Sequence, residues 1–143
     1  MRAVLDTNVV VSALLWAGIP GELIHAARSG RVELATSPPL LAELTDVLGR
    51  RRFEGRIGVF GLTVDQIVDG YAALARIVRS EQISGIAPDL DDDVVLGTAV
   101  AGGAEMIVSG DAHLLGLGTF EGISIVSPAT ALEKISIRAT RRW

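Results

Sequence analysis

The sequence contains no cysteine. Disulfides and thiolate–metal sites are thereby excluded, and the chain must be held together by its core. Aromatic residues make up only 4% of it, which leaves Ala, Val, Leu and Ile to build that core. Basic charge is short as well: the net charge is −4, and Lys134 is the single lysine. A protein that holds nucleic acid through its overall field is usually basic. Any nucleic-acid partner must then be met by local arginine patches or by bound cations. No apolar run approaches the roughly 18–20 residues that span a bilayer. The opening Met1-Arg2-Ala3-Val4-Leu5-Asp6 reaches an acid too soon for a signal peptide. These absences lead us to expect a cytoplasmic protein with no membrane partner.

What is present describes a globular α/β chain. Its 143 residues, 49% hydrophobic and 21% charged, fit one domain over 1–143. Arg2–Leu5, Val32–Ala35, Met106–Val108 and Ile123–Val126 read as short buried strands. Helices are expected over Val9–Trp16, Gly21–Arg28, Thr63–Arg79 and Asp91–Ala101, the last closed by Gly102-Gly103. Another starts at Ser37-Pro38, with Ser37 as its cap, and carries Leu40, Leu44, Val47 and Leu48 at helical spacing. A final helix runs from Ser127-Pro128 through Glu133. Gly55–Gly61 reads as a loop and Gln82–Ile86 as a strand or loop. Short strands alternating with helices predict a parallel sheet, with its site beyond the carboxyl ends of the strands.

Acids fall where such a site forms. Asp6 directly follows the first strand, and Asp111 follows the Met106–Val108 strand. Each has a plainer reading as an Asx turn or helix cap. Glu43 lies at the edge of its helix's apolar stripe, where the plainer reading is a side chain reaching to water. The run Asp89-Leu90-Asp91-Asp92-Asp93 carries the most information. Acids suit a helix N-terminus, but four in five positions repel one another unless a cation compensates. At about 100° per residue, Asp92 falls near the centre of the stripe of Val95, Leu96 and Ala99, with Asp91 and Asp93 to its sides. Inward carboxylates from separate segments suit a hard cation, Mg²⁺ or Mn²⁺, as one or two ions. Only His25 and His113 are available to zinc, and they show no paired ligand spacing. We read His25 as a helix-surface residue and His113 as a neighbour of the site. Arg50, Arg51 and Arg52 close the Glu43 helix, either as RNA contacts or as neutralisers of its dipole.

Four segments together resemble the PIN-domain family, in its VapC-like toxin branch. They are Leu5-Asp6-Thr7-Asn8-Val9-Val10, Leu40-Leu41-Ala42-Glu43-Leu44, Asp89-x-Asp91-Asp92-Asp93-x-x-Leu96-x-x-Ala99, and Ile107-Val108-Ser109-Gly110-Asp111-x-x-Leu114-Leu115. The resemblance covers almost the whole chain, in order. It implies a three-layer α/β/α fold on a parallel sheet of about five strands. It further implies a metal-dependent endoribonuclease, dimeric, acting on RNA and neutralised by a small antitoxin protein. The four acids it marks are Asp6, Glu43, Asp92 and Asp111, with Asp6, Asp92 and Asp111 holding metal. Asn8, Asp93 and Ser109 support them, Ser109 standing where the family commonly has Thr. A non-catalytic protein- or RNA-binding module of the same fold is the alternative. Other phosphoryl chemistries fit poorly. A haloacid-dehalogenase phosphatase needs a second Asp where Asn8 stands, and a receiver domain needs a lysine after a late strand, whereas Lys134 is in a terminal helix. Neither a P-loop nor a Gly-x-Ser-x-Gly elbow occurs.

Overall fold

The structure, a computed structural model, describes residues 1–83, 85–86 and 90–141. The elements run β1 (Arg2–Leu5), α1 (Thr7–Leu15), α2 (Ile19–Arg28), β2 (Glu33–Thr36), α3 (Pro38–Leu48), a 3₁₀ turn (Arg51–Phe53) and α4 (Glu54–Val59). They continue with α5 (Val64–Leu74), β3 (Arg76–Ile77), α6 (Leu90–Ala101), β4 (Met106–Val108), α7 (Ala112–Leu117), β5 (Thr119–Phe120), β6 (Ile123–Val126) and α8 (Pro128–Arg141). Among the described residues the sheet has six strands in the order β3-β2-β1-β4-β6-β5. All neighbours are parallel except the β5–β6 edge pair. From β1 the order runs outward through β2 and β3, and on the other side β4 begins the second half. The crevice between the carboxyl ends of β1 and β4 is therefore the topological switch point, where ligands of open α/β sheets bind.

The period-2 alternation of the strands divides the core in two. Ala3, Leu5, Leu34, Met106 and Val108 face one side, against apolar residues of α1, α2, α3, α5 and α8. Val4, Ala35, Ile107 and Ile125 face the other, against Val95, Leu96 and Ala99 of α6 and Leu114 of α7. Helices on both faces make the expected three layers. α6 ends as a glycine-terminated helix should. Gly103 takes φ +61, and the Ala104 N–H bonds back to the Ala99 carbonyl at 2.9 Å.

Several expectations are corrected. Gly55–Gly61 is mostly helical, because Ile57 is buried and the Arg56 guanidinium bonds the Leu15 carbonyl, which outweighs the low propensity of Gly55 and Gly58. The helix expected to reach Arg79 stops at Leu74. Arg76–Ile77 instead extends the sheet beside β2, and the Val78 N–H reaches the Thr36 carbonyl at 2.8 Å. Ser37 makes no side-chain cap; its hydroxyl bonds the Thr98 hydroxyl of α6 at 2.8 Å, tying α3 to α6. The last helix continues past Glu133 to Arg141. Of the strand or loop expected over Gln82–Ile86 the loop is what forms: Gln82, Ile83, Gly85 and Ile86 join no regular element, and Ser84 lies outside the described residues. Just before it the chain lies tight on α6: the Glu81 N–H bonds the Gly97 carbonyl at 3.1 Å, and a Cβ at Gly97 would strike the Glu81 carbonyl.

Candidate metal centre

Asp6 is the first residue past β1, and its N–H continues the ladder to the Val108 carbonyl at 2.9 Å. It precedes α1, yet its side chain makes no capping bond. The capping reading of Asp6 thus fails. Its Oδ2 instead accepts a hydrogen bond from the Ser109 hydroxyl at 2.8 Å. Asp6 is 8% exposed and Ser109 fully buried. The same Ser109 oxygen accepts the Asp111 N–H at 2.9 Å. One buried hydroxyl therefore couples the acid after β1 to the acid after β4, across the switch point.

Asp111 does cap α7, in keeping with its plainer reading. Its Oδ1 accepts the N–H groups of His113 at 2.7 Å and Leu114 at 3.2 Å. The cap engages one carboxylate oxygen and leaves Oδ2 outside it. Asp92, at the start of α6, is 8% exposed. Asp92, Asp111 and His113 each offer a ligand atom, and these lie within 4.8 Å of one another. His113 Nδ1 is 3.7 Å from Asp111 Oδ1.

The residues marked in the sequence are only partly drawn together. Asp92 and Asp111 meet directly, and Asp6 joins Asp111 through Ser109. Glu43 is half-buried on α3 and does not belong to the group of three. Asn8 is exposed on α1. Asp93, expected beside the stripe, is buried more deeply than Asp92, at 2%. It lines a separate recess of about 490 Å³ with Pro39, Ser80 and Glu81. Asp89 lies outside the described residues, as does the side chain of Asp91. Arg50 is paired with Asp46 at 3.6 Å, while Arg51 and Arg52 are exposed in the 3₁₀ turn. His113 is the member that sequence reasoning leaves beside the site. Its signal is its place two residues after Asp111, in the first turn of a six-residue helix.

The donor set suits a hard or borderline divalent cation: carboxylate oxygens fit Mg²⁺ and Mn²⁺, and the imidazole suits Mn²⁺ better than Mg²⁺. Asp92 is buried, while the His113 side chain is 65% exposed. The group is thus anchored on one side and open to an incoming ligand on the other.

The PIN domain model matches residues 2–113. The chain belongs to the PIN-domain family. Among solved structures, it is similar to a chain in the crystal structure of VapBC2 from Rickettsia felis bound to a DNA fragment from their promoter. The TM-score is 0.58 at 16% identity, over 87% of this chain and 97% of that one. At that identity the likeness is one of fold. No curated protein matches the chain.

Proposed function

We propose that this chain is a metal-dependent endoribonuclease and the toxin of a toxin–antitoxin pair. The observation that carries the reading is the convergence of Asp92, Asp111 and His113 within 4.8 Å at the switch point, with Asp6 coupled to Asp111 by Ser109. A structural cap explains Asp111 alone; it gives no reason for a buried Asp92 to share that edge with it.

In this reading Asp6, Asp92 and Asp111 hold Mg²⁺ or Mn²⁺, as one or two ions, with His113 beside them. The cation, when bound, offsets charge on the phosphodiester and lowers the pKa of a water. The remaining work belongs to the chain. Ser109 fixes the orientation of Asp6, so that the carboxylate does not have to be ordered when substrate arrives. The α7 cap holds Asp111 in one rotamer. Glu43 is assigned as the acid that takes the proton of the attacking water, and Asn8 as an exposed polar contact to the sugar–phosphate. Substrate is RNA, met through arginine, since the net charge of −4 supplies no attractive field. The partners are a small antitoxin protein and a second copy of this chain, in the cytoplasm.

The test is cleavage of RNA by purified protein in EDTA and after addition of Mg²⁺ or Mn²⁺, with Asp92→Asn purified identically as the control for contaminating nuclease. Cleavage should vanish in EDTA and return with either ion. Undiminished cleavage in EDTA by wild type, absent from the control, overturns the metal mechanism.

A further inference from the structure

Aromatic residues are scarce in this chain, yet three of them collect with arginines at one place. The Trp16 and Phe53 ring centroids are 6.0 Å apart, edge to face. The Arg52 guanidinium lies 4.7 Å from the centre of the Phe53 ring. Arg56 lies 5.9 Å from the Trp16 ring and 5.2 Å from the Phe60 ring. Two of these rings are exposed, Trp16 at 45% and Phe60 at 42%, while Phe53 is half-buried and packs against the core edge. Among the described residues, neither Arg51 nor Arg52 forms an ion pair, and Glu54 is the one acid between Arg50 and Phe60.

We infer that this cluster is a stacking platform for single-stranded RNA. Two features of the site favour that occupant. The first is chemistry: exposed ring faces alternating with uncompensated guanidinium groups match a strand of bases and phosphates, and bases stack on such rings without regard to sequence. An apolar protein helix would use the rings but leave Arg51 and Arg52 without counter-charge. The second is position. α1 begins directly after Asp6 and ends at Leu15, just before Trp16, so its length sets Trp16 about 15 Å from Asp6. α3 carries Glu43 and ends just before Arg50, a helical path of about 10 Å. Two helices thus lead from the candidate catalytic acids to one platform, a spacing suited to hold the strand beyond the bond being cut. The inference rests on the nuclease reading for the nature of the ligand, while its test is binding alone.

The experiment uses the full chain carrying Trp143→Phe, in EDTA, titrated with a short single-stranded oligouridylate and with duplex RNA of equal length. Trp16 is then the only indole. Its emission should be quenched saturably by the single strand and much less by the duplex. Trp16→Leu should bind the labelled single strand about tenfold more weakly, the loss expected for roughly 1.4 kcal/mol of base stacking. Arg51→Gln with Arg52→Gln alters only exposed side chains. It should flatten the slope of log affinity against log salt by roughly 1.4, or about 0.7 for each phosphate no longer neutralised. The platform is overturned if the single strand binds without moving Trp16 emission and both variants bind as well as the parent. It is equally overturned if emission responds only to protein concentration, which would assign the cluster to self-association. Either result leaves the metal-dependent cleavage assay to decide the nuclease reading on its own.

Discussion

The Ser109 hydroxyl donates to Asp6 Oδ2 at 2.8 Å in a fully buried position. A hydrogen bond to a charged group in such a place contributes about 1.5–3 kcal/mol. Ser109→Ala should therefore lower stability by about that amount and weaken Mn²⁺ binding, while Ser109→Thr, which keeps the hydroxyl, should retain most of both. Urea denaturation and Mn²⁺ titration check this. Equal behaviour of the two variants would show that the hydroxyl does not hold Asp6 for the metal.

Asp111 caps α7 and is also assigned to the metal, and two substitutions separate the roles. Asp111→Asn keeps an oxygen for the His113 and Leu114 N–H groups. It should leave stability nearly unchanged while cleavage falls. Asp111→Ala loses the cap too, at a cost of about 1 kcal/mol. If Asp111→Asn cleaves RNA as wild type does, the acid is a cap and nothing more.

Adjacent acids at the start of α6 should also behave differently. Asp92 shares its edge with Asp111 and His113, whereas Asp93 lines the recess with Pro39, Ser80 and Glu81. Loss of an outer-shell partner of a metal costs about 10–100-fold, so Asp92→Asn should lower cleavage by at least about 100-fold with the fold retained. Asp93→Asn should act mainly on stability, by about 1–3 kcal/mol, as expected for a buried polar group whose surroundings no longer match it. Cleavage assays and urea midpoints on both proteins give the answer. The reverse pattern would move the site by one residue.

Much of this site is legible in the sequence because the acids sit at element boundaries. Asp6 and Asp111 follow strands whose apolar runs are unambiguous, and the topology then brings their carboxyl ends together. The phase of α6 is harder. A single apolar stripe implies one buried acid, but the helix is covered on two sides, by the sheet and by residues 80–83, so Asp92 and Asp93 are both buried. The two-residue strands β3 and β5 leave no periodicity to detect, and α4 carries Gly55 and Gly58, which argue against a helix until the Arg56–Leu15 contact is known. His113 is hidden for a different reason: only the turn at Asp111 brings its ring toward Asp92.

The buried phenol of Tyr71 supplies a prediction independent of catalysis. Tyr71 is 3% exposed on α5, and its hydroxyl has no hydrogen-bond partner among the described residues. Burial disfavours the charged phenolate and pushes its pKa up. The folded-state pKa therefore lies above the unfolded one. Below the ordinary phenol value of about 10 both states keep the proton, and stability is full. As pH rises beyond it, the unfolded chain releases its proton first, so stability falls by up to about 1.4 kcal/mol per pH unit until the folded-state value is reached. Tyr71→Phe removes this dependence. It also removes an unbonded buried hydroxyl, and so should be more stable than wild type by about 1 kcal/mol at neutral pH. Urea midpoints at neutral and alkaline pH measure both effects. Phenolate absorbance gives a second reading, because Tyr71 is the single tyrosine. In wild type the phenolate should appear only with unfolding. A phenol that titrates at its ordinary value in the folded protein, with Tyr71→Phe less stable at neutral pH, would show that the hydroxyl is solvated or bonded and that burial does not control it.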